Sequence, residues 1–522
     1  MTGGSAHVLP DESFPLMEGN IGDALRHAAD RFGERPALAW AGEDGIESMS
    51  YTELLAESGK VAAWLLSRAE PGDRIGIWSR NCLEWVLLEY GCALAGMVIA
   101  SWNPGWTNYE CEHARDLTEP ALLFVGLDTR GAPLDERASR LIEPDCRIPL
   151  EGLRELVADS LPGIMPSPDA SDVFLIQFTS GTTGRAKGAA LSHRAALNAG
   201  LLRTVLADAD ETDVWCNPIP LNHMGGAISM VIGAMTIGSS YIVMHRFDPA
   251  EYLRMMKACG ATRIGGVPTM ILALTEQPGW APETFGVRSI GSGGAQVPKP
   301  LIERMMREFA APVIVTYAQS ECPMISVTLP SDSAEAVSET VGKPAPHVEV
   351  KICGIQDGET LAVGETGEVC VRSPLVMNCY YRMEEATAKT IDAEGFLHTG
   401  DLGWLGEDGY LRINGRAREV IIRGGENIYP AEIEDALLSH PDVLAASAVP
   451  IEDERWGQVV GAAIQPREGR TPNEAELRDH VASRVAYFKV PSRWMFVDAF
   501  PLTPSGKIRK FEVEQMFAGG TA

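Results

Sequence analysis

The sequence predicts an α/β protein that continues into an antiparallel β subdomain and ends in a small α+β domain. Up to about residue 330, short apolar runs such as ALLFVG and SYIVM alternate with helical patterns such as PAEYLRMMKACG. That alternation is typical of parallel, layered sheets. From about 338 to 415, short strands are separated by Gly/Asp turns, and after about 418 the strand–helix pattern returns. A chain of 522 residues is too long for one core, so about two to four units are expected.

The individual elements follow from periodicity and capping residues. NIGDALRHAADRF, residues 20–32, has apolar residues at helical spacing. SYTE, residues 50–53, is a capping box that opens a second helix. RIGIWS is predicted as a strand and CLEWVLLEYGCALAGMVIA as one buried helix. Late in the chain, Asn473 is predicted to cap a helix, with Glu476 three residues further on.

Composition excludes several classes of partner. The net charge of −27 argues against nucleic acid and against an anionic membrane surface. No uninterrupted apolar stretch is long enough for a transmembrane segment, and the first residues lack the pattern of a secretory signal. The ten cysteines form no C-x-x-C pair and no Cys/His cluster at zinc spacing. We therefore expect reduced thiols and a cytoplasmic location.

The stretch TSGTTGRAKG, residues 179–188, indicates a loop that closes around a polyanion. Glycines let backbone N–H groups approach a ligand, hydroxyls add donors and a lysine adds positive charge. The apolar run VFLIQF precedes it and the helical pattern LSHRAALNAGLLRTVL follows, so a strand–loop–helix unit is expected. The stretch lacks the spacing of a P-loop, and an ordinary surface turn is the alternative. The candidate phosphate-binding residues are Thr179, Ser180, Gly181, Thr182, Thr183, Gly184 and Lys187.

Three further stretches carry candidate nucleotide-binding residues. In VTYAQSEC, the Tyr317 ring could stack on a purine, and Glu321 could hold Mg²⁺. In FLHTGD, Asp401 could bind a ribose diol, and the downstream Arg416 could pair with the same nucleotide. In PLTPSGKIRK, prolines and a glycine present Lys507 near the end of the chain. Taken singly, each has an ordinary alternative: a core aromatic, a solvated carboxylate, a β-turn or a solvated basic tail.

Together these stretches resemble the adenylate-forming superfamily, closest to the fatty-acyl-CoA synthetases. The motifs occur in family order from about residue 15 to about 517: TSGTTGRAKG, PLNHMGG, SGGAQVP, YAQSE, GFLHTGD, GRAREVIIRGGENIYPAEIE and PSGKIRK. The resemblance implies an N-terminal domain, residues 1–417, with two layered β-α subdomains and a β-barrel. It also implies a small mobile C-terminal domain, residues 418–522.

The resemblance implies a two-step reaction. A carboxylic acid would attack the α-phosphate of Mg·ATP, giving acyl-AMP and pyrophosphate, and the thiol of CoA would then displace AMP. ATP, Mg²⁺ and CoA are thus expected, with a small carboxylic acid as the other partner. Loading of an acyl carrier protein is the alternative, because both acceptors present the same pantetheine thiol. A non-catalytic nucleotide-binding protein is disfavoured, since Lys507, Glu321 and Asp401 are all present. Whether the chain is a homodimer stays open.

The resemblance also implies a role for each site residue. Lys507 would supply positive charge to the carboxylate and the α-phosphate, while Thr179 and Glu321 would hold magnesium. Ser320, in place of the family's usual threonine, would keep a hydroxyl for the α-phosphate. Asp401 would bind ribose with support from Arg416. The adenine would lie between Tyr317 and a wall formed by Gly293, Gly294 and Ala295.

Other positions map to the acyl pocket, the hinge and the thiol channel. His223 would border the acyl group, although a purely structural histidine is the alternative. Arg418 maps to the hinge, and Gly425 and Trp456 to the channel for pantetheine; Trp456 could equally pack at the domain surface. Stretches such as HMGGAISM are apolar and lack a fixed charge, which favours an apolar acid over an amino acid. A polar substrate that reaches Asn217 or Asn222 stays open.

Overall fold

The computed structural model of the chain describes residues 4–43, 45–179, 186–293, 299–355, 357–423, 426–453, 455–502 and 508–518. Among these residues, no helix combines the length and the hydropathy that crossing a membrane requires. The chain divides into two compact units. Unit 1 consists of Met1–Val8, Val350–Cys370 and His398–Ala522, and unit 2 consists of Leu9–Glu349 and Val371–Leu397.

The α-helices are distributed over both units. They are α1 Ile21–Phe32, α2 Tyr51–Leu66, α3 Leu83–Ala95, α4 Asn108–Thr118, α5 Asp135–Ala138, α6 Leu153–Leu156, α7 His193–Val205, α8 Gly233–Ile237, α9 Pro249–Cys259, α10 Pro268–Thr275, α11 Lys299–Phe309, α12 Ala334–Glu339, α13 Glu384–Thr390, α14 Pro430–Leu438, α15 Glu474–Ala482 and α16 Lys510–Ala518. A π-helix, Gly225–Ile232, leads directly into α8.

The β-strands form four sheets. They are β1 His7–Val8, β2 Pro36–Ala41, β3 Ile46–Ser50, β4 Arg74–Trp78, β5 Val98–Trp102, β6 Leu122–Val125, β7 Arg147–Pro149, β8 Val173–Thr179, β9 Lys187–Ser192, β10 Val214–Cys216, β11 Ser240–Val243, β12 Arg263–Gly265, β13 Ser289–Gly293, β14 Val313–Gln319, β15 Cys322–Val327, β16 Lys343–Pro344, β17 Glu349–Cys353, β18 Gly367–Arg372, β19 Cys379–Tyr380, β20 Leu397–Leu405, β21 Leu411–Arg416, β22 Ile421–Arg423, β23 Glu426–Ile428, β24 Val443–Asp453, β25 Gly457–Pro466 and β26 Arg493–Phe496.

Unit 2 contains two largely parallel sheets with helices between their strands. One has the order β16-β15-β14-β13-β12-β10-β11-β2-β3, and the other has the order β19-β9-β8-β5-β4-β6-β7. Antiparallel pairs occur at the edges, where β15 pairs with β14 and β9 pairs with β8. The cores are aliphatic and aromatic, with Trp78, Trp102 and Phe124 wholly buried. Two layered β-α subdomains, as predicted, are confirmed.

Unit 1 contains the β subdomain and the C-terminal α+β region. The β subdomain was expected to be a barrel. Over the described residues it is an open five-stranded sheet with the order β1-β17-β18-β20-β21. The C-terminal sheet has the order β23-β22-β25-β24, and β26 lies parallel to β25. Its core includes Ile433 and Leu437 from α14, and Leu477 and Val481 from α15.

Three helix starts follow the predicted capping chemistry. Asn20 accepts a hydrogen bond from the N–H of Asp23 at the start of α1. Ser50 and Glu53 form the predicted capping box of α2. Asn473 accepts from the N–H of Glu476 at α15. Each cap satisfies a backbone donor that the first helical turn leaves without a partner, which explains why these starts can be predicted from sequence.

Two element assignments from the sequence were wrong. The stretch 82–100 is not one helix, because α3 ends at Ala95 and Val98 begins strand β5. Gly96 adopts a left-handed conformation, with φ of 67°, that ends the helix. The phosphate loop does not lead straight into a helix either. It leads into strand β9, and α7 begins only at His193 with Ser192 as its cap.

Candidate active site

The glycine-rich stretch joins two strands that pair with one another in unit 2. Strands β8 and β9 pair antiparallel, with Thr179 opposite Lys187 as the last pair of the ladder. The loop's second end is also held by His113, whose Nε2 lies 2.7 Å from the carbonyl oxygen of Ala186. The ladder therefore fixes both ends of the predicted phosphate loop. Five of the predicted phosphate-binding residues lie outside the described residues: Ser180, Gly181, Thr182, Thr183 and Gly184.

Lys187 and Glu321 are brought together by a residue that the sequence analysis did not identify. Strand β19 pairs with β9, so that Tyr380 lies opposite Ala189. The Lys187 ammonium lies 4.4 Å from the centroid of the Tyr380 ring, and the Tyr380 hydroxyl donates a 2.5 Å hydrogen bond to Glu321 Oε1. The backbone of the same segment is also anchored, because Met377 N donates to the Glu321 carbonyl at 2.8 Å.

Tyr380 is equipped to act as a hydrogen-bond donor. Burial, and then the adjacent Glu321 carboxylate, raise the pKa of Tyr380 above its ordinary value. The phenol therefore keeps its proton and donates a hydrogen bond to the carboxylate. Because the two partners are 59 positions apart in sequence, no local pattern links them, and a tyrosine in a short strand is usually a packing residue.

The predicted magnesium ligands have suitable chemistry. Glu321 offers a carboxylate and Thr179 a hydroxyl, which are the oxygen donors that Mg²⁺ prefers. The Tyr380 bond occupies Oε1 of Glu321 and fixes the orientation of the carboxylate. The residues present therefore fit a hard divalent cation at this place.

The predicted adenine-binding residues lie on neighbouring strands. Strands β13 and β14 run parallel, with Gly293 opposite Thr316, so that Tyr317 follows directly beside Gly293. A Cβ at Gly293 would lie 2.8 Å from the Thr316 carbonyl oxygen, so only glycine allows this approach. Gly294 and Ala295 lie outside the described residues.

A tight hairpin between β14 and β15 carries the next two predicted residues. Ser320 and Glu321 form its two-residue tip, because Gln319 pairs with Cys322. The hairpin therefore places Ser320 and Glu321 directly after the end of β14, and their roles at the nucleotide stay predictions.

The PLNHMGG stretch is held against the phosphate-loop hairpin. Gln177 on β8 donates a hydrogen bond from Nε2 to the Asn222 carbonyl at 3.0 Å. The ring of His223 accepts at Nδ1 from the N–H of Gly225 at 3.0 Å, which places the proton of the neutral ring on Nε2. A Cβ at Gly226 would lie 2.4 Å from the Pro220 carbonyl oxygen. The turn is therefore tight and fixes His223 at the start of the π-helix.

The π-helix Gly225–Ile232 is an apolar segment in unit 2. Such helices are rare and occur frequently at functional sites. Met224, Ala227, Ile228 and Met230 are all buried in or beside it. The predicted apolar acyl environment therefore lies in a segment without a charged side chain.

A separate cavity of about 300 Å³ in unit 2 was not anticipated from the sequence. Arg80, His245 and Arg246 line it, together with Asp248 and Glu251. None of the predicted site residues that the structure describes contributes to its wall.

Unit 1 carries Asp401 and Arg416 as a preformed pair. They lie opposite one another on β20 and β21, and Arg416 Nε is 3.1 Å from Asp401 Oδ1. The Asp401 side chain is only 7% exposed, whereas that of Arg416 is 41% exposed. The arginine therefore fixes one oxygen of the carboxylate predicted to bind ribose.

The remaining predicted residues lie in the C-terminal part of unit 1. Lys507 and Gly425 fall outside the described residues, as does the side chain of Arg418. On either side of the stretch that contains Lys507, Leu502 and Ile508 form an antiparallel bridge.

Trp456 is exposed in the structure. Its side chain is 41% accessible, and the guanidinium carbons of Arg423 and Arg455 lie 5.5 and 5.0 Å from its ring. The indole therefore has two cationic neighbours and retains solvent access. Its role in a thiol channel stays a prediction.

Comparison with known proteins identifies the family. A family model described as AMP-binding enzyme matches residues 25–381, and a model described as AMP-binding enzyme C-terminal domain matches residues 432–507. Together the two matches include the glycine-rich stretch, the Ser320–Glu321 hairpin and Lys507.

Individual relatives align over nearly the whole chain. The mouse mitochondrial medium-chain acyl-CoA ligase ACSF2 is 30% identical over 98% of this chain and 90% of its own length. ATP-bound MatB from Rhodopseudomonas palustris matches with a TM-score of 0.86 and 27% identity, covering 96% of this chain and 99% of that chain.

A third relative was solved with a reaction intermediate. O-succinylbenzoate CoA synthetase (MenE) from Bacillus subtilis, in complex with the acyl-adenylate intermediate OSB-AMP, matches with a TM-score of 0.83 and 28% identity. It covers 96% of this chain and 99% of its own chain. With both family models matched and these relatives aligned end to end, the chain belongs to the AMP-binding enzyme family, the adenylate-forming superfamily that its motifs resemble.

Proposed function

We propose that the chain is an ATP-dependent acyl-CoA ligase that activates an apolar carboxylic acid as an acyl-AMP. In the first step a carboxylate oxygen attacks the α-phosphorus of ATP, and pyrophosphate leaves. In the second step the thiol of CoA attacks the acyl carbon, loses its proton and displaces AMP. The names of the mouse medium-chain acyl-CoA ligase and of the Bacillus CoA synthetase with its acyl-adenylate support this sequence of steps.

The observation that carries the proposal is the contact between Lys187, Tyr380 and Glu321. The phosphate-loop hairpin and the β14–β15 hairpin are distant in sequence. Tyr380 joins them through a ring contact on one side and a hydrogen bond on the other. A cation beside the phosphate loop and an oriented carboxylate are what a magnesium–triphosphate ligand requires.

Charge compensation is the main task of the residues in the first step. Two anions must meet, so catalysis depends on positioning and on positive charge near the α-phosphate. We assign the phosphates to Thr179–Gly184 and Lys187, and the α-phosphate hydroxyl contact to Ser320. Lys507 supplies the cation that bridges carboxylate and phosphate. Magnesium, when held by Thr179 and Glu321, neutralises part of the triphosphate charge.

The nucleoside is assigned to Tyr317, Asp401 and the glycine wall. Tyr317 stacks on adenine, and Gly293 with Gly294 and Ala295 forms the opposing wall. A Cβ at Gly293 would meet the Thr316 carbonyl oxygen, so this position of the wall requires glycine. Asp401 accepts hydrogen bonds from the ribose hydroxyls, and Arg416 orients its carboxylate through Oδ1.

The substrate is an apolar acid of medium or long chain length, or an aryl acid. The acyl group lies against the apolar segment that begins at His223 and continues into the π-helix. An amino acid would need a fixed carboxylate for its ammonium group, and none of the residues in the π-helix is charged. The medium-chain name of the mouse relative agrees with an aliphatic acid.

The second step uses residues of the C-terminal domain, which we delimit as residues 418–522. Rotation about Arg418 removes Lys507 and brings Gly425 to the pantetheine channel, with Trp456 at its wall. The exposed Trp456 ring and its two arginine neighbours suit a ligand that carries both an apolar arm and phosphates. A carrier-protein phosphopantetheine is the alternative acceptor, and the cytoplasmic location and a homodimer stay predictions.

The test is ATP–pyrophosphate exchange with a panel of acids, followed by acceptor competition. Aliphatic acids of increasing length, aryl acids and amino acids are compared at fixed ATP and Mg²⁺. Exchange that rises with aliphatic or aryl acids supports the proposal; exchange with amino acids alone would refute the substrate class. Thioester formation with CoA is then compared with that on a phosphopantetheinylated carrier protein. A rate with carrier protein that far exceeds the rate with CoA favours the alternative.

A further inference from the structure

A cluster of soft and hard donors lies on one face of the β subdomain in unit 1, apart from every residue assigned to the reaction. Glu368, Cys370 and His398 each present one donor atom, and these three atoms lie within 4.8 Å of one another. It is the one such group of His, Cys, Asp and Glu donors found among the described residues. We propose that Glu368, Cys370 and His398, with water as the fourth ligand, form a site for one soft divalent cation, of which zinc is the best match.

The spacing of the donors fits tetrahedral coordination. Cys370 Sγ lies 3.6 Å from His398 Nδ1. Zinc–nitrogen and zinc–sulfur bonds of about 2.0 and 2.3 Å place neighbouring tetrahedral donors roughly 3.3–3.8 Å apart. Glu368 Oε2 and His398 Nδ1 form a hydrogen-bonded pair and lie 2.8 Å apart. A small outward shift of the carboxylate would make room for the ion between these two atoms.

Cys370 is the sheltered donor of the site. Its side chain is fully buried, with 0% exposure. His398 and Glu368 retain 32% and 21% side-chain exposure. The thiol therefore forms a sheltered floor, and the imidazole and carboxylate form an entrance that a hydrated ion can reach.

Donor chemistry and charge select the kind of ion. A thiolate and an imidazole favour zinc and disfavour magnesium and calcium, which prefer oxygen. One thiolate and one carboxylate around a divalent cation leave no net charge, so the site needs no further counter-ion.

The site would brace the turn that carries Asp401. Glu368 Oε1 accepts a hydrogen bond from Gly400 N at 3.0 Å, and Thr399 Oγ1 donates to the Val369 carbonyl at 2.7 Å. A cation held by Glu368 and His398 would tie β18 to β20 at the base of this turn. The cation is thus a structural element of the β subdomain and takes no part in the chemistry.

The test uses the full-length chain, stripped of metal with a chelator and kept reduced by a phosphine, without Mg²⁺ or ATP. Co²⁺ is titrated as a spectroscopic probe for zinc. The proposal predicts one equivalent per chain, with a thiolate-to-cobalt charge-transfer band and ligand-field bands of tetrahedral intensity. Added zinc should displace Co²⁺ from the site and so remove both sets of bands. Cys370→Ser should lose most of the charge-transfer intensity and weaken Co²⁺ binding by at least about tenfold.

Controls separate this site from other metal sites and from misfolding. Cys379→Ser removes a half-buried thiol outside the cluster, and Glu321→Gln removes the proposed magnesium ligand; both should keep the band. His398→Gln, at the more exposed donor, should shift the ligand-field bands while leaving the melting temperature of the metal-free protein nearly unchanged. Absence of a thiolate band, or an unchanged band in Cys370→Ser, would overturn the proposal.

Discussion

Replacing Tyr380 by phenylalanine removes one oxygen atom and tests the link between the two hairpins. The lost group is the donor of a 2.5 Å hydrogen bond to Glu321. Hydrogen bonds to charged groups contribute about 1.5–3 kcal/mol. Glu321 is only half-buried, so water can replace part of the bond. We therefore expect Tyr380→Phe to lose about 1–2 kcal/mol of the free energy that keeps the Glu321 carboxylate in its oriented position. That loss corresponds to a factor of about 5–30 in an equilibrium constant.

The assay is the Mg²⁺ dependence of ATP–pyrophosphate exchange at saturating acid. We expect the Mg²⁺ concentration for half-maximal exchange to rise about 5- to 30-fold in Tyr380→Phe, because Glu321 becomes free to leave its oriented position. Tyr381→Phe is the matched control, since the adjacent side chain contacts the guanidinium of Arg382 and not Glu321. The reasoning is refuted if Tyr380→Phe shows the Mg²⁺ dependence of the unchanged protein, or if Tyr381→Phe shifts it equally.

Two further predictions concern stability. Glu89 is wholly buried, and among the described residues neither carboxyl oxygen has a hydrogen-bond partner; burial raises its pKa well above the ordinary value. The folded state therefore retains a proton that the unfolded state releases. The contribution of Glu89 to the free energy of unfolding thus falls as pH rises above about 4.5, by up to about 1.4 kcal/mol per pH unit. Glu89→Gln should remove that dependence in urea titrations from pH 5 to 9, and a parallel pH profile for both proteins would contradict this. Asp213→Asn should lower the free energy of unfolding by roughly 3–5 kcal/mol, because Arg263, buried 2.9 Å from Asp213, loses its counter-ion. Asp210→Asn, in an exposed pair, should cost less than about 1 kcal/mol, and equal losses in the two variants would contradict the burial argument.

Local signals predicted part of this molecule well. Caps at Asn20, Ser50 and Asn473 are short-range hydrogen bonds, so the sequence contains all of the information needed. The end of α3 was missed because a buried helix and a buried strand are both continuously apolar. Strand β9 was missed because KGAALS has little strand propensity of its own and is stabilised by its pairing with β8.

The site shows the same division between local and long-range information. Gly293, Tyr317, Ser320 and Glu321 became candidates because family motifs contain them in order, and their roles stay predictions. Tyr380 could not be found in this way, because its contact with Glu321 joins positions 59 apart in sequence. The cluster of Glu368, Cys370 and His398 was missed for a related reason. Its donors come from two adjacent strands rather than from a C-x-x-C spacing, so only the sheet brings them together.

Lys507→Ala tests the central claim most directly, with the two half-reactions measured separately. The variant is compared with Arg509→Ala, which removes a nearby exposed cation paired with Glu512. The account predicts that Lys507→Ala slows ATP–pyrophosphate exchange by about 100-fold or more, while thioester formation from supplied acyl-AMP and CoA stays within a few-fold. Arg509→Ala should leave both rates nearly unchanged. Undiminished exchange in Lys507→Ala, or an equal loss in both half-reactions, would contradict the account.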